Sequence, residues 1–366
     1  PPPFVEGELD RVVPLGDGAV GSVPVRPVDD GIPVLGNALL YGTRKFMELC
    51  GVERVVVGVS GGIDSAVAAA LYRQLLPPER LLLVSLPSRY NSPTTLGLAR
   101  TLARNLGCGY VEIPIDRGVE LTAAQIEAAV IQGAPQEGPQ HLRLTELDLE
   151  NVQARDRGAR LLAAVAAAFG GVFTCNANKS ELTVGYSTFY GDLGGFFANL
   201  ADLWKGEVYA LGRHLNASVY GREVIPAGCF TVTPSAELSP AQAVDEGRGD
   251  PLIYPYHDVL FRSWVEWWNR VTPEEILSWY AAGTLEEQLG YAGRIAELFP
   301  TAADFIADLE RWWDQYQGLA VAKRIQAPPV LALKRRAFGF DHREALLGPR
   351  YTARYEALKR ELLGLG

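Results

Sequence analysis

The sequence predicts an α/β protein with a doubly wound parallel sheet, followed by a helical C-terminal region. Residues 54–59 are rich in valine, and the pair Gly61-Gly62 then leads into an alanine-rich segment, which is typical of a buried strand followed by a buried helix. Strand-like and helix-like segments then alternate up to Cys175. From Tyr256 onward the apolar spacing is helical and rich in aromatic residues. Strands that alternate with helices favour a parallel sheet with helices on both faces.

The individual elements follow from apolar periodicity and from the placement of glycine and proline. Residues 1–33 are rich in proline and glycine and indicate an extended lead-in. Gly107 closes one helix, and the string Thr272-Pro-Glu-Glu275 is typical of a helix start with a capping box. The segment 117–148 shows no regular pattern. Strands are predicted at 54–59, 80–86, 110–115 and 171–175, and helices at 35–50, 64–76, 94–106, from Asn151 to about 169, and from Lys205.

These elements predict three regions in the chain. Residues 1–33 form the lead-in, residues 34–255 the α/β domain, and residues 256–366 a helical C-terminal region with a tail that contacts substrate.

The composition is that of a soluble globular protein, with 366 residues of which 48% are hydrophobic and 21% charged. The formal net charge of −9 argues against sequence-independent binding of long nucleic acid. No apolar run reaches the roughly 20 residues that a membrane span needs. The 4 cysteines are scattered and form no CxxC pair, which argues against zinc or a disulfide framework. We therefore expect a cytoplasmic protein that binds neither nucleic acid nor a membrane.

The stretch VVVGVSGGIDSAVAAA carries a chemical signal. In an open parallel sheet, ligands bind at the carboxyl ends of the strands, and the elbow Ser60-Gly61-Gly62 lies at such an end, directly before a helix. Glycines let the backbone approach a ligand, and the first N–H groups of a helix favour an anion such as phosphate or pyrophosphate. Asp64 would repel that anion, so it implies a divalent cation between the carboxylate and the phosphates. The alternative is a tight turn in which Asp64 only complements the helix dipole.

The elbow resembles the pyrophosphate loop S-G-G-x-D-S of the N-type ATP pyrophosphatases, which cleave ATP between its α- and β-phosphates and form an adenylate. That loop alone selects no substrate, because NAD, GMP and asparagine synthetases and several tRNA-modifying enzymes share it. Later strings select one. The string E-N-V-Q-A-R at 150–155, the string N-K-S-E with V-G-Y and Y-G-D at 178–192, and K-R-I-Q-A-P-P at 323–329 are together similar to NAD synthetase. The resemblance covers about residues 50–345.

This resemblance implies a set of site residues. Asp64 and Glu181 would share a Mg²⁺ ion. Asp64 and Lys205 would carry catalysis, with the lysine stabilising charge on the leaving pyrophosphate. Contacts to deamido-NAD are expected from Arg155, Asp192, Lys323 and Arg324. Contacts to the co-substrate ATP are expected from Gly58, Ser60, Gly61, Gly62, Asp64, Ser65, Asn176, Lys205 and Ser235.

The implied reaction is the ATP-dependent amidation of deamido-NAD to NAD through an adenylate, with release of AMP and pyrophosphate. The sequence departs from the family at Asn176-Ala177, where a Thr or Ser followed by Gly is usual, so the backbone freedom of that glycine is lost. Two alternatives remain. The first alternative is another N-type ATP pyrophosphatase, either a tRNA-modifying enzyme or an amidotransferase synthetase. A tRNA-modifying enzyme would need a basic face or paired cysteines. A nucleotide-binding regulator without turnover would not need both Asp64 and Glu181.

Ile63 and the string Asp192-Leu-Gly-Gly-Phe196 are closer to the glutamine-dependent branch than to the short ammonia-dependent one. Members of that branch carry a nitrilase-like glutaminase domain ahead of the synthetase. The segment 3–13 resembles the closing strand and linker of such a domain. We therefore expect this chain to be the synthetase portion, with residues 1–33 as a remnant and the glutaminase as a missing domain or subunit. The resemblance also implies a homodimer built across the helix at 150–169.

Overall fold

The structure is a computed structural model that describes residues 31–132, 140–334, 336–338 and 351–365. The predicted lead-in lies outside these residues except for 31–33, which belong to the first helix, α1 (Gly31–Cys50). This helix begins earlier than the sequence predicted, and the reason is that Ile32 already packs against the core beside the sheet. The described residues from Ile32 onward belong to one compact unit.

The central sheet is parallel and has four strands, as predicted. These strands are β1 (Val55–Gly58), β2 (Leu81–Ser85), β3 (Gly109–Glu112) and β6 (Val172–Phe173), and a separate antiparallel hairpin consists of β4 (Val130–Ile131) and β5 (Gln140–His141). The order in the sheet is β3-β2-β1-β6. Val55 pairs with Leu81 on one side and with Val172 on the other. The strand order therefore reverses between β1 and β6, which is where such sheets bind ligands.

Helices make up most of the remaining structure, including the predicted helical C-terminal region. Between β1 and residue 214 the helices are α2 (Ile63–Leu75), α3 (Pro93–Leu106), α4 (Asp116–Ala128), α5 (Glu146–Arg155), α6 (Ala163–Phe169), α7 (Lys179–Val184) and α8 (Lys205–His214). Those that follow are α9 (Tyr254–Val265), α10 (Pro273–Ala281), α11 (Leu285–Leu289), α12 (Ile295–Leu298), α13 (Ala302–Gln317), α14 (Leu319–Gln326) and α15 (Ala353–Leu362). Among the described residues, no helix is both long and apolar enough to cross a bilayer.

Both faces of the sheet are covered, which makes the fold doubly wound. Val55 and Val57 belong to the core that also contains the alanine-rich centre of α2 and the apolar face of α3. Val56, which lies between them, belongs to a separate core with Ala166 of α6 and Ile115. Because successive side chains of a strand point to opposite faces, the alternation along β1 produces one core on each side.

One segment that the sequence predicted to be irregular is partly regular. Residues 117–148 contain nearly all of α4, the β4–β5 hairpin and the first turn of α5. No residue of α4 is fully buried, and its contact with a core is made by the partly buried Val119, so the sequence marks this helix only weakly. The helix α5 also begins earlier than predicted, because Thr145 caps it. The Thr145 hydroxyl accepts the Asp148 N–H at 3.2 Å, and the Asp148 carboxylate accepts the Thr145 N–H at 2.9 Å.

Between α5 and α6 the chain forms a π-helical stretch at Asp156–Leu162. Gly158 within it lies against the segment that carries Asp192, since a Cβ at Gly158 would be 2.4 Å from the Gly191 carbonyl oxygen. Such wide turns occur often at functional sites. Here the turn allows two segments that carry predicted site residues to touch.

The C-terminal helices form a third core, which is rich in aromatic residues. Trp264 packs edge-on against Trp313 with ring centroids 5.1 Å apart. The predicted capping box is confirmed. The Thr272 N–H donates to the Glu275 carboxylate at 2.8 Å, and the Glu275 N–H donates to the Thr272 hydroxyl oxygen at 3.4 Å. Trp204, which directly precedes α8, is fully buried in the same core. The division of the chain at residues 33 and 255 stays a prediction.

Candidate active site

The glycine elbow joins β1 to α2 at the carboxyl edge of the sheet. Gly61 has a left-handed backbone with φ +88°, and a Cβ there would lie 2.2 Å from the Thr95 carbonyl oxygen, so only glycine fits. Gly62 is the N-cap of α2, and its N–H donates to Ser60 Oγ at 3.2 Å. The Ser65 hydroxyl donates to the Gly62 carbonyl at 3.2 Å. The elbow is therefore a tight, internally bonded turn that presents the first turn of α2 at the sheet edge.

The segment after β6 meets the elbow through two asparagines. Asn176 Nδ2 donates to the Gly58 carbonyl at 2.9 Å and so joins the ends of β6 and β1. Asn178 caps α7, since its Oδ1 accepts the Glu181 N–H at 3.1 Å. The Nδ2 of the same side chain donates to Asp64 Oδ1 at 3.0 Å. One asparagine thus joins the Asp64 carboxylate to the backbone of the first turn of α7, which carries Glu181.

A buried lysine joins the same two carboxylates. Lys205 is the first residue of α8, and its Nζ lies 2.5 Å from Asp64 Oδ2 and 3.5 Å from Glu181 Oε1. The ammonium also lies over the Tyr254 ring, 4.7 Å from its centroid. The Tyr254 hydroxyl lies 3.3 Å from Glu181 Oε1 and 3.1 Å from Asp250 Oδ2. The fold therefore brings three predicted site residues together and adds Asp250 as a further carboxylate.

These contacts shift the pKa values of the cluster. Burial lowers the pKa of the Lys205 ammonium, but the charges of Asp64 and Glu181 outweigh this effect and hold that pKa above its ordinary value. Burial raises the pKa of the Glu181 carboxyl to about 7; Lys205 opposes the rise, and Asp64 and Asp250 add to it. The lysine therefore stays charged, and Glu181 is the member that exchanges a proton near neutral pH. Shifted pKa values of this kind are common at functional sites.

A cavity of about 650 Å³ opens beside the cluster, and a smaller one of about 150 Å³ adjoins it at the elbow. The larger volume is in the range of small-molecule sites. Its walls come from the elbow, the residues after β6, α5, and the helices α13 and α14. Of the predicted site residues, those that line one or both cavities are Gly58, Ser60, Gly62, Asp64, Ser65, Arg155, Asn176, Glu181, Asp192, Lys205, Ser235 and Lys323. Gly61 and Arg324 do not line either.

Three further predicted contact residues line the cavities, and two of them, Ser235 and Asp192, share the smaller cavity with the carboxylate–lysine cluster. The Ser235 hydroxyl donates to a backbone carbonyl at 2.8 Å. Asp192 Oδ1 accepts the Thr188 N–H at 2.7 Å, which closes the turn before it. Arg155 Nε donates to the Phe189 carbonyl at 3.0 Å. Within the described part of the chain, the two terminal nitrogens of Arg155 have no hydrogen-bond partner, so they can accept a ligand from the cavity.

The C-terminal basic pair divides between cavity and core. Lys323 lines the cavity, and its Nζ donates to the carbonyls of Gly185 at 2.8 Å and Ser187 at 2.5 Å. Burial lowers the pKa of this ammonium. Arg324 is only 5% exposed, and its guanidinium donates to the Thr183 carbonyl at 2.6 Å. The two residues were predicted to meet the substrate together, but only Lys323 lies where a ligand in the cavity would reach it.

The sequence reasoning missed a buried carboxylate beside the elbow. Glu237 is 2% exposed and has a left-handed backbone with φ +47°. Its carboxylate accepts the Ser92 N–H at 3.0 Å, the Asn91 amide at 3.0 Å and the Thr95 hydroxyl at 2.7 Å. Glu237 therefore fastens the segment on which Gly61 packs. The signal in the sequence was a charged residue inside the short string T-P-S-A-E.

The donor set of the cluster suits a hard divalent cation. Asp64 and Glu181 offer carboxylate oxygens that one cationic group, the Lys205 ammonium, already bridges. Mg²⁺ in proteins commonly takes one or two carboxylates together with ligand phosphates. Within the described residues, no group of three or more His, Cys, Asp or Glu is arranged to hold a metal. A divalent cation at Asp64 and Glu181 would thus take further oxygens from a bound ligand.

Comparison with known proteins identifies the family. The family model for NAD synthase matches residues 37–279, which include the elbow, the asparagines after β6 and the start of α8. The chain belongs to the NAD synthase family. Asp64, Glu181 and Lys205 all fall within the matched residues, whereas Lys323 lies beyond them.

Relatives of this NAD synthase family member include two curated bacterial proteins, both named glutamine-dependent NAD(+) synthetase. The protein from Thermotoga maritima is 36% identical over 274 residues, which are 73% of this chain and 44% of that protein. The protein from Xanthomonas campestris pv. campestris is 32% identical over 341 residues, which are 91% of this chain and 53% of that protein. The chain thus spans about half the length of these relatives, and neither is a tRNA-modifying enzyme.

A solved structure supports the fold. The crystal structure of a glutamine-dependent NAD(+) synthetase from Cytophaga hutchinsonii superposes with a TM-score of 0.62 at 18% sequence identity, and the match covers 90% of this chain and 55% of that one. At this identity the likeness extends to the fold, which is that of the adenine nucleotide alpha hydrolase-like proteins.

Proposed function

We propose that this member of the NAD synthase family amidates deamido-NAD to NAD, with ATP as co-substrate and with AMP and pyrophosphate as products. The observation that carries this proposal is the convergence of Asp64, Glu181 and Lys205 beside the glycine elbow, all within residues matched to the family. The relatives named as NAD(+) synthetases support the same reaction.

ATP is proposed to bind with its phosphates at the elbow. The first N–H groups of α2 and the helix dipole favour an anion, and the hydroxyls of Ser60 and Ser65 add polar contacts. The Lys205 ammonium would stabilise the charge that develops as pyrophosphate leaves. The remaining ATP contacts are proposed at Gly58, Gly61, Gly62, Asp64, Asn176 and Ser235.

Asp64 and Glu181 are the residues that would hold Mg²⁺. When bound with ATP, Mg²⁺ neutralises charge on the phosphates. The carboxyl of Glu181, whose pKa is raised to about 7, would be held in its ionised form by such a cation. The side chains of Asn178 and Tyr254 support these carboxylates by hydrogen bonds.

Deamido-NAD is proposed to lie along the wall that α5 and α14 form. The terminal nitrogens of Arg155 suit a phosphate or carboxylate, which a guanidinium binds through paired hydrogen bonds. Asp192 and Lys323 line the same wall and are proposed as further contacts. Arg324 is proposed to support the site indirectly, because its guanidinium donates a hydrogen bond to the end of α7 and does not reach the cavity.

The proposed chemistry needs positioned substrates and no covalent nucleophile from the protein. An oxygen of the nicotinate carboxylate attacks the α-phosphorus of ATP, and the bond to the bridging oxygen breaks as pyrophosphate leaves. Ammonia then attacks the carbonyl carbon of the adenylate, the bond to AMP breaks, and one proton is released. The elbow and Lys205 hold the phosphates, while Arg155 and Lys323 hold the dinucleotide, so most of the barrier is lowered by orientation and charge stabilisation.

We propose that ammonia, and not glutamine, reacts at this site. Burial raises the pKa of the Cys175 and Cys229 thiols to about 12 and that of Cys108 to about 11. None of these thiols is therefore poised as a thiolate nucleophile for glutamine hydrolysis. We assign that step to a separate glutaminase domain or subunit, which the relatives' name implies for them.

We further propose that the protein works as a homodimer in the cytoplasm. The helix α6 exposes the small side chains Ala164, Ala167 and Ala168, which allow a second helix to approach closely. Light scattering of the wild type and of Ala167→Arg tests this assembly. A monomeric wild type at micromolar concentration would contradict it.

Turnover with deamido-NAD, ATP, Mg²⁺ and ammonium tests the proposed reaction. We expect NAD, AMP and pyrophosphate to appear in equal amounts, and each to be absent when deamido-NAD is left out. Hydrolysis of ATP without NAD formation would point to a different acceptor. A folded protein that binds MgATP but forms no NAD from all four components would overturn the proposal.

A further inference from the structure

A buried network of charged side chains lies directly behind the carboxylate–lysine cluster. Lys179 is fully buried, and its Nζ lies 2.6 Å from Asp202 Oδ1 and 2.6 Å from Glu266 Oε1. The Trp204 indole N–H donates to the same oxygen of Glu266 at 3.1 Å. The Lys179 ammonium lies 5.4 Å from the centroid of the Trp204 ring. Lys179 lines neither cavity, so it cannot touch a ligand there.

The network is adjacent in sequence to the predicted site residues. Lys179 begins α7 two residues before Glu181, and Trp204 directly precedes Lys205 at the start of α8. Ser180 joins the two helices, since its hydroxyl oxygen accepts the Lys205 N–H at 3.0 Å. The backbone from which Glu181 and Lys205 project is therefore held by contacts on the side opposite the cavity.

The same network anchors the chain that follows α14. Asp202 Oδ2 accepts the N–H groups of Leu333 and Lys334, each at 2.7 Å. The Lys334 ammonium pairs with the Glu207 carboxylate of α8. Lys323 lies in α14, directly upstream of this segment, so the anchor holds the chain that leads away from a predicted substrate contact.

The charges within the network balance. Its cations are Lys179, Arg262 and Lys334, and its anions are Asp202, Glu207 and Glu266. Arg262 closes the network, at 3.2 Å from a Glu207 oxygen and 3.6 Å from a Glu266 oxygen. Buried ion pairs contribute little net stability compared with apolar packing, whereas loss of one partner is costly. Stability alone therefore does not account for a fully buried lysine at this position.

We propose that Lys179 is a positioning residue for the reaction proposed above. Together with Asp202 and Glu266 it couples the anchored segment after α14 to the placement of Glu181 and Lys205. This inference rests on the proposed function, and its effect reaches the substrates only through other residues.

Two variants separate this role from a purely structural one. Lys179→Met leaves two buried carboxylates without their shared cation and is expected to lower the melting temperature. Lys179→Met/Asp202→Asn removes one cation and one anion, so the rest of the network stays balanced and much of the stability is expected to return. In the double variant we expect kcat to remain about 10-fold to 100-fold below wild type, as for other supporting residues of a site. The KM for deamido-NAD is expected to change by less than about threefold.

Calorimetric binding of MgATP gives a second readout that does not depend on NAD formation. We expect the affinity to fall roughly tenfold in the double variant, because the placement of Glu181 and Lys205 changes. Glu266→Gln keeps the hydrogen bonds of that oxygen and removes only its charge, and it replaces the double variant should that protein fail to fold. Lys359→Met, which removes a half-buried ion pair with Glu310 among the C-terminal helices, is the control and should leave kcat and affinity unchanged.

The outcomes distinguish the inference from the proposed function. A wild-type protein that binds MgATP but makes no NAD would contradict the proposed function. In that case, the comparison of MgATP affinity between the wild type and the double variant still tests whether Lys179 positions Glu181 and Lys205. The positioning role of Lys179 would be overturned if a folded double variant, or Glu266→Gln, kept the kcat and the MgATP affinity of the wild type. A lower melting temperature with unchanged kcat and affinity would also overturn it, since the network would then be structural only.

Discussion

Lys205 lies at the centre of the site because its one ammonium contacts two carboxylates from separate elements. Asp64 comes from α2 and Glu181 from α7, and Asp250 lies on the other side of the Tyr254 hydroxyl. Without the lysine, these partly buried carboxylates would repel one another, and the pKa of Glu181 would rise still further. The residue thus makes a cation-binding arrangement compatible with a folded, low-dielectric pocket.

The first prediction concerns Asp64. Asp64→Asn is expected to lower the rate of pyrophosphate release by about 100-fold or more, because an amide holds Mg²⁺ poorly against phosphates. The fold should persist, since the asparagine oxygen can still accept from Lys205 and only the contact with Asn178 is lost. Pyrophosphate release and circular dichroism measure the two effects. Asp116→Asn, in the first turn of α4, is the control, and near-normal release by a folded Asp64→Asn protein would contradict the metal role.

The second prediction concerns the pH dependence of metal binding. The Glu181 carboxyl, whose pKa is raised to about 7, is neutral below that pH and ionised above it. Because Mg²⁺ needs the ionised form, MgATP affinity should increase as the pH rises from about 6 to about 8, with release of a proton. Calorimetry in buffers of different ionisation enthalpy detects that proton. Glu181→Gln should bind more weakly and lose this slope; a slope that persists would assign the titration to another group.

The third prediction concerns substrate recognition by Arg155. Arg155→Ala is expected to raise the KM for deamido-NAD by about tenfold or more and the KM for ATP by less than about threefold. The reason is that Arg155 lies on the cavity wall along which the dinucleotide is proposed to bind. Steady-state kinetics with each substrate varied in turn measures both. Arg104→Ala, an exposed helical arginine, is the matched control. Equal changes in both KM values would indicate a structural arginine.

Much of the site could be predicted at the residue level, and its gaps have a physical cause. Asp64, Glu181 and Lys205 lie in strings long enough to suggest their roles without a structure. Asn178 lay inside such a string, yet its hydrogen bond to Asp64 joins residues that are 114 positions apart, and no local pattern indicates it. Glu237 was overlooked because its partners are more than 140 residues away in the chain.

At the scale of elements, the elbow depends on the start of α3. The Thr95 carbonyl covers Gly61, and Glu237 holds Thr95 and Ser92 in place through the hydrogen bonds described above. The strained backbone of Glu237 persists because these three bonds over-determine it. The turn that receives the phosphates in our proposal is therefore shaped by two segments that do not belong to it.

The fourth prediction compares the two glycines of the elbow. Gly61→Ala should lower the free energy of unfolding by about 2–4 kcal/mol, since a Cβ would collide with the Thr95 carbonyl in a left-handed backbone. Gly62→Ala should cost less than about 1 kcal/mol, because its backbone is extended and the nearest atom to a Cβ is Ser60 Oγ at 3.4 Å. Urea unfolding measures both. Equal costs would show that Thr95 does not confine the elbow.

The sequence predicts the elements that pack against the core, but it does not predict the elements that make little contact with it. The alternation along β1 and the alanines of α2 reflect burial directly, so the sheet and its covering helices follow from periodicity. The helix α4 has no fully buried residue and contacts a core through the partly buried Val119, so burial leaves only a weak pattern in its sequence. The pairing of Ala198 with Val330 depends on tertiary packing, and no local pattern indicates it.

At the scale of the whole molecule, the site needs every layer of the fold. The elbow comes from the sheet region, Arg155 from α5, and Lys323 from α14, yet all line one cavity. The aromatic core of the C-terminal helices also contains Trp204, next to Lys205. The packing of the C-terminal helices therefore also holds the start of α8, which carries Lys205.

The last prediction concerns the nitrogen source of this chain. Ammonium is expected to support NAD formation at least about tenfold faster than glutamine at equal concentration, because no activated thiolate lies at the site. Cys175, Cys229 and Cys108 have raised thiol pKa values, and Cys50 is exposed at the end of α1.

The assay compares both donors in one preparation, with a mock purification to exclude contaminating glutaminase. Cys50→Ser serves as a control for the exposed thiol and should leave both rates unchanged. Equal rates from glutamine and ammonium, with the glutamine rate lost on replacement of one cysteine, would show that the chain hydrolyses glutamine itself. That result would contradict the assignment of this step to a separate domain or subunit, because a thiol of raised pKa would then have to act as the nucleophile.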